Sequence, residues 1–271
     1  MSKPDADRWR VKPGTDAHLA KIDTDSTDGA PGHKKDTEAV FDDLHGQLAE
    51  LQERLYAEGQ RSLLVVLQAI DAGGKDGTIT HVFGGLNPAG CRVASFKVPS
   101  EEERSHDFLW RVHAKTPAKG EVVVFNRSHY EDVLVVRVHD IVPEAVWRPR
   151  FDAINAFEKT LADAGTRIVK LYLHISKEEQ AERFRARLDD PSKRWKFHKA
   201  DLEERARWDD YRAAFEEAIS RTSTEYAPWF VVPADRKWYR NWAVSRILIE
   251  TLADMDPQYP PAEDLGGLEI G

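Results

Sequence analysis

The run LLVVLQAI (63–70) constrains the fold more than any other stretch of this chain. It alternates too little to have one wet face, so it suits a strand buried on both sides, as in a parallel sheet. Four further runs are candidates for the same role: RVASFKV (92–98), EVVVF (121–125), RIVKLYLHI (167–175) and WFVVPA (229–234). Helical stretches separate them. Ser100 with Glu103, and Ser176 with Glu179, fit the capping box, in which each side chain satisfies a free backbone donor at the other's position. Before the first strand, EAVFDDLHGQLAELQERLYAEG places Phe41, Leu44, Leu48, Leu51 and Leu55 on one helical face that stops at Gly59. Strand and helix alternating five times predict a doubly wound α/β fold.

Directly after the first strand comes Asp71-Ala72-Gly73-Gly74-Lys75-Asp76-Gly77-Thr78, followed by a stretch able to form a helix. A phosphate-binding loop belongs here, because glycines let backbone N–H groups curl round an anion and the next helix presents its positive end. Lys75 would supply a mobile cation. The match to GxxxxGK[ST] is incomplete: Ala69 holds the first glycine position and Asp76 the hydroxyl position. The usual magnesium-binding hydroxyl is therefore missing, with Asp71 and Thr78 as nearby substitutes. A glycine-rich turn with an exposed lysine is the competing reading, and the strand-loop-helix context argues against it.

The third strand ends in Asn126-Arg127-Ser128-His129-Tyr130-Glu131-Asp132, at the edge where open α/β sheets bind ligands. Arg127 can neutralise a transferring phosphoryl group, and Glu131 or Asp132 can bring the carboxylate that neutral Asn126 lacks. The same residues also read as a Ser128 cap with ordinary first-turn acids.

Formal net charge is −8, from 39 Lys plus Arg against 47 Asp plus Glu, which argues against wrapping duplex DNA or lying on an anionic membrane. Yet residues 183–199 hold seven Lys or Arg against two acids. Arg183 and Arg187 share a helix face, Pro191 breaks the helix, and Lys193, Arg194, Lys196 and Lys199 follow. Either this is a solvated charged face or it is a lid of about 183–205 that closes over phosphates, and its place after the fourth strand favours the lid.

Residues 1–36 read as an extended, partly disordered arm, residues 37–260 as one domain and 261–271 as a tail. His106 and His113 read as packing residues, since nothing is spaced to complete a zinc site. Trp195, Trp208, Trp229, Trp238 and Trp242 read as core or hinge. The lone Cys91 cannot form an internal disulfide, no apolar run reaches membrane length, and the N-terminus lacks a secretory core. These features predict a soluble cytoplasmic protein.

Taken together, DAGGKDGT, SFKVPSEEERSHDFLWRVH, FNRSHYEDVLVVRVHD, DDPSKRWKF and APWFVVPADRKWYRNW resemble the type-2 polyphosphate kinase family, most of all its class III branch. The resemblance runs from about Val11 to Pro260. It implies a thymidylate-kinase-like P-loop fold: a three-layer sandwich with a central five-stranded parallel sheet and a helical lid. It also implies magnesium-dependent transfer, with Mn2+ as an alternative ion, between inorganic polyphosphate and AMP or ADP, with guanine nucleotides as further acceptors and a dimeric or tetrameric assembly. Carried onto this sequence, it puts Asp71 at the metal and Lys75 on the moving phosphoryl group. Gly73, Gly74, Asp76, Gly77 and Thr78 would form the cradle, and Arg127 would sit at the reaction centre. Arg183 and Arg187, with Lys193 and Lys196, would serve the lid. Other branches have Asp where Asn126 stands and Asn where Glu131 stands, so either Glu131 or Asp132 would complete the metal shell. An ATP-dependent nucleoside monophosphate kinase and a non-catalytic polyphosphate-binding regulator are the alternatives.

Overall fold

A computed structural model describes residues 5–263. Five parallel strands form one sheet in the order β2-β3-β1-β4-β5. They are β1 Ser62–Gln68, β2 Cys91–Ser95, β3 Val122–Asn126, β4 Thr166–His174 and β5 Trp229–Pro233. Leu63 of β1 lies opposite Val122 on one side and Arg167 on the other, which makes β1 the central strand. All seven of its residues are buried. Both faces are therefore covered by helices, as unbroken aliphatic runs require. β2 stops three residues short of the apolar run that announces it. It is an edge strand, and the chain turns away after Phe96, whose N–H reaches Asn126 O at 3.1 Å, leaving Val98 exposed.

The main helices are α1 Phe41–Glu58, α2 Lys75–Thr78, α3 Glu131–Val138, α4 Arg150–Asp163, α5 Lys177–Asp189, α6 Trp208–Thr222 and α7 Lys237–Met255. α1 ends at Gly59, whose φ of 60° is the left-handed stop that glycine takes without strain. Helices α1 and α7 pack together, and α7 also touches α2; α3, α4 and α6 form a second group. Three layers result, helices over sheet over helices.

Both sequence caps form contacts, but only one is a full box. Ser100 and Glu103 exchange hydrogen bonds at 3.2 and 2.8 Å. At Ser176 the hydroxyl accepts from Glu179 N, while Ser176 N donates to Asp235 Oδ1 at 2.8 Å and the Glu179 carboxylate accepts from Arg183. Asp235 from the exit of β5 and Arg183 one turn along α5 replaced the reciprocal arm.

The N-terminal segment is extended but belongs to the core, contrary to its composition. Trp9, Val11 and Leu19 are buried. Val11 N donates to Trp229 O and Val231 N to Trp9 O, both at 2.8 Å, so the arm covers the open edge of β5. That pairing satisfies backbone groups an edge strand would leave free. A short helix, Lys34–Glu38, crosses the boundary expected at residue 36. Of the expected tail, 264–271 lies outside the described residues. Among the described residues no helix is long and apolar enough to cross a membrane.

Candidate active site at the carboxyl edge of the sheet

The loop between β1 and α2 is shaped by close approach. A Cβ on Gly73 would fall 2.4 Å from Ala69 Cβ and 2.7 Å from Ile70 O. Gly74 has φ 103°, and its Cβ would fall 2.0 Å from Arg240 Nη1. Only glycine fits either position. Among the described residues the backbone N–H groups of Gly74 to Gly77 have no internal partner, the ordinary state of a helix start. Lys75 Nζ donates to Ala69 O at 2.9 Å. Burial, aided by the Arg127 charge, pushes its ammonium below the usual lysine range. Thr78 is buried and its hydroxyl is already donated to Gly74 O at 3.1 Å, so it braces the loop from behind instead of offering a ligand.

The exit of β3 meets this loop from the side. Asn126 Nδ2 donates to Asp76 Oδ1 at 2.8 Å. Arg127, with a left-handed φ of 62°, joins two carboxylates: Nη2 lies 3.0 Å from Asp71 Oδ1 and Nη1 3.4 Å from Glu131 Oε2. Burial opposes the Arg127 charge, but Glu131 and Asp71 outweigh it and hold the guanidinium above its usual range. Asp132 takes another direction. It pairs with Arg150 at 3.4 Å, and burial still raises its carboxyl above the usual range.

Two clefts meet at Arg127. One, of about 200 Å³, is lined by Asp71, Arg127 and Glu131 and closed by His139, Gln180 and Tyr211. The other, of about 550 Å³, combines Phe96, Phe108 and Ile141 with Arg104, Arg111 and Arg150, and shares Arg127 and Glu131 with the first.

The basic segment divides. Arg183 is buried: Nη1 donates to Ala72 O at 2.9 Å, Nη2 to Ala234 O at 2.5 Å and Nε to Glu179 at 2.7 Å. It therefore ties the loop to the exit of β5. Arg187 donates to Lys196 O, Lys193 pairs with Asp190, and Lys196 lies 5.1 Å over the Trp195 ring. These contacts all stay within the segment. Trp195 is 72% exposed, not core, while Trp208, Trp229 and Trp242 are buried. His106 and His113 fall in different short segments; His106 stacks on Trp110 and His113 meets Phe157 edge-on, so both make ring contacts.

Sequence reasoning missed Arg240, which reaches Gly74 and Gly77 from α7. It also missed Gln180, whose Nε2 holds Asp71 O at 2.8 Å. The signal for Arg240 was an arginine set among the aromatics of KWYRNW.

A glycine-rich loop after a central parallel strand, with a lysine at the helix start and arginines converging on it, defines a P-loop phosphotransferase. Residues 32–260 match the family model described as Polyphosphate kinase 2 (PPK2). The chain belongs to that family. It is 57% identical over 256 residues to an AMP/ADP-polyphosphate phosphotransferase from Meiothermus ruber, covering 94% of this chain and 96% of that protein. An ADP-polyphosphate phosphotransferase from Rhodopseudomonas palustris is 48% identical over 226 residues, 79% of this chain and 78% of that one. The crystal structure of polyphosphate kinase 2 from Arthrobacter aurescens TC1 superimposes with a TM-score of 0.92 at 47% identity, covering 98% of this chain and 93% of that chain.

Proposed function

We propose that this chain transfers a phosphoryl group between inorganic polyphosphate and adenine nucleotides, forming ADP from AMP and ATP from ADP, reversibly. The observation that carries the reading is the position of Arg127 in the shared wall of two clefts, one beside the phosphate loop and one aromatic and arginine-rich. The donor phosphate would sit over the loop, beside the first cleft and its carboxylates, and the second cleft, with its aromatic rings and Lys97, Arg104, Arg111 and Arg150, suits a nucleotide. The names of the relatives support both substrates.

An oxygen of the acceptor phosphate attacks the terminal phosphorus of the chain. The bridging P–O bond breaks, and polyphosphate leaves one unit shorter. Loop N–H groups and Lys75 hold the donor, Arg127 faces both phosphates, and Arg183 fixes the loop through Ala72 O. The acceptor oxygen is already a competent nucleophile, so positioning and charge stabilisation carry the catalysis. Gly73, Gly74, Asp76 and Gly77 shape the cradle, Asn126 positions Asp76, and Arg187, Lys193 and Lys196 offer charge to the distal chain.

A divalent cation fits this site. Asp71 and Glu131 stand on either side of one guanidinium, and no group of three or more His, Cys, Asp or Glu among the described residues forms a self-sufficient metal site. Mg2+ commonly takes one or two carboxylates together with substrate phosphates, and Mn2+ suits the same oxygens. Asp71 and Glu131 would hold it, and its chemistry is neutralisation of phosphate charge. We further propose that the protein is cytoplasmic and a homo-oligomer; light scattering of the purified protein would test the assembly.

Incubating AMP, ADP, GMP and GDP separately with polyphosphate or with ATP, and separating the nucleotides by chromatography, tests the reading. Polyphosphate alone should convert AMP to ADP and ADP to ATP. Turnover of AMP with ATP but not polyphosphate would identify an ordinary monophosphate kinase, and binding without turnover a regulator.

A further inference from the structure

Among the described residues, Arg240 is a buried cation without a counterion. Its side chain comes from α7 and the residue is 2% exposed. Nε and Nη2 both donate to Asn241 Oδ1, at 3.1 and 2.7 Å, and these are its only hydrogen bonds among the described residues. No carboxylate there pairs with it. Among the described residues Nη1 has no acceptor; it is not sealed in the core but opens over the phosphate loop, 2.0 Å from where a Gly74 Cβ would stand, while Nη2 is 3.2 Å from the corresponding point on Gly77.

Its nearest charged neighbour makes matters worse. Arg183 Nη1 lies 3.3 Å from the same Gly74 point, and Arg183 already has Glu179 and three carbonyls. Burial first, and the Arg183 charge second, push Arg240 down to about 9. An unpaired buried charge is strongly destabilising unless something compensates it. Gly74, Gly77 and Arg183 beside it bring no negative charge. What the loop and the guanidinium jointly lack is an anion.

We propose that Arg240 is a phosphate-binding residue of the donor site, its free Nη1 donating to a phosphoryl oxygen of the polyphosphate seated over Gly74 and Gly77. The inference rests on the polyphosphate reading above. It assigns Arg240 to the donor and not to the acceptor because Arg240 touches the phosphate loop itself, at Gly74 and Gly77, while lining neither cleft.

Arg240→Met and Arg240→Lys test it in the full chain, with thermal unfolding read with and without polyphosphate and KM measured for polyphosphate and AMP separately. Loss of a charge-assisted hydrogen bond should raise the polyphosphate KM of Arg240→Met about tenfold or more, with the AMP KM within about threefold. Removing an unpaired buried charge should leave the ligand-free Tm unchanged or higher, while the Tm rise induced by polyphosphate shrinks. Arg240→Lys should restore most of that rise. A structural role predicts the reverse: a fall in ligand-free Tm, or failure to fold, with the polyphosphate response of the folded protein intact. That result, or Arg240→Lys behaving as Arg240→Met, overturns the assignment. If wild-type protein fails to use polyphosphate the functional reading falls; if it succeeds and Arg240→Met matches it, only Arg240 is misassigned.

Discussion

Replacing Glu158 by Gln should unfold this protein far more readily than a single-atom change suggests. Glu158 on α4 and Lys170 on β4 are both fully buried, with Lys170 Nζ 2.5 Å from Glu158 Oε2. Lys170 also reaches Tyr130 Oη at 2.9 Å and Thr222 O at 2.7 Å, and Glu158 accepts from Tyr130 and meets His129 Nε2 at 3.2 Å. Burial alone would raise the Glu158 carboxyl, but Lys170 and His129 outweigh it and hold it below the usual range. Glu158→Gln keeps the shape and strands the ammonium, a change that costs about 3–5 kcal/mol. At roughly 2–4 °C per kcal/mol for domains near this size, Tm should fall by about 6–20 °C. Scanning calorimetry at neutral pH reads it. Glu158 has a lowered pKa, so its contribution is present above its unfolded value and lost as pH falls through the lower folded one. The gap between wild type and variant should therefore narrow in acid. Adding Lys170→Met should recover at least half of the loss, because the stranded charge is then gone. A fall below about 2 °C at neutral pH would refute the buried-charge argument. The cluster also matters to the site: His129 and Tyr130 stand two and three residues after Arg127, so it anchors the segment that aims that arginine.

Three other perturbations probe single contacts. Gly74→Ala meets both a φ of 103° and the Arg240 guanidinium, and should reduce turnover by about a hundredfold, as ångström-scale misplacement does, in a steady-state assay with polyphosphate and AMP. Asn126→Asp sets a carboxylate against Asp76 in place of the 2.8 Å hydrogen bond, so turnover should drop roughly tenfold and return when Asp76→Asn is added. Burial pushes the Cys91 thiol up to about 11, leaving little thiolate at neutral pH. Alkylation followed by mass spectrometry should be slow at pH 7.5 and faster in denaturant.

The central strands were legible because a strand buried on both faces must be largely aliphatic, although the run VLVV (133–136) shares that pattern and lies in α3, and β2 is mostly not buried. Lys75, Asp71 and Arg127 were legible because they stand at the ends of those strands, where chain direction alone brings ligand-binding loops together. What escaped depended on contacts between distant segments. Trp9 and Leu19 are isolated apolar residues in a polar stretch, and only the free edge of β5 makes them core. Ser176 has the capping-box pattern, yet Asp235 from the exit of β5 took its N–H. Arg183 read as a mobile lid arginine, but Ala72 and Ala234 carbonyls hold it against the loop. Arg240 was hidden by its aromatic neighbours, which read as packing.

The central claim is that Lys75 and its loop move a phosphoryl group out of polyphosphate. The most direct measurement is the rate of ADP formation from AMP and polyphosphate by Lys75→Met, beside wild type at equal folded concentration. Among the described residues Nζ donates only to Ala69 O, so the fold should survive its removal with Tm little changed. Removing one preorganised donor from a transition state costs about 10² to 10³ in turnover, and a loss of at least that size is the predicted result. Turnover within threefold of wild type by a normally folded Lys75→Met protein would contradict the account.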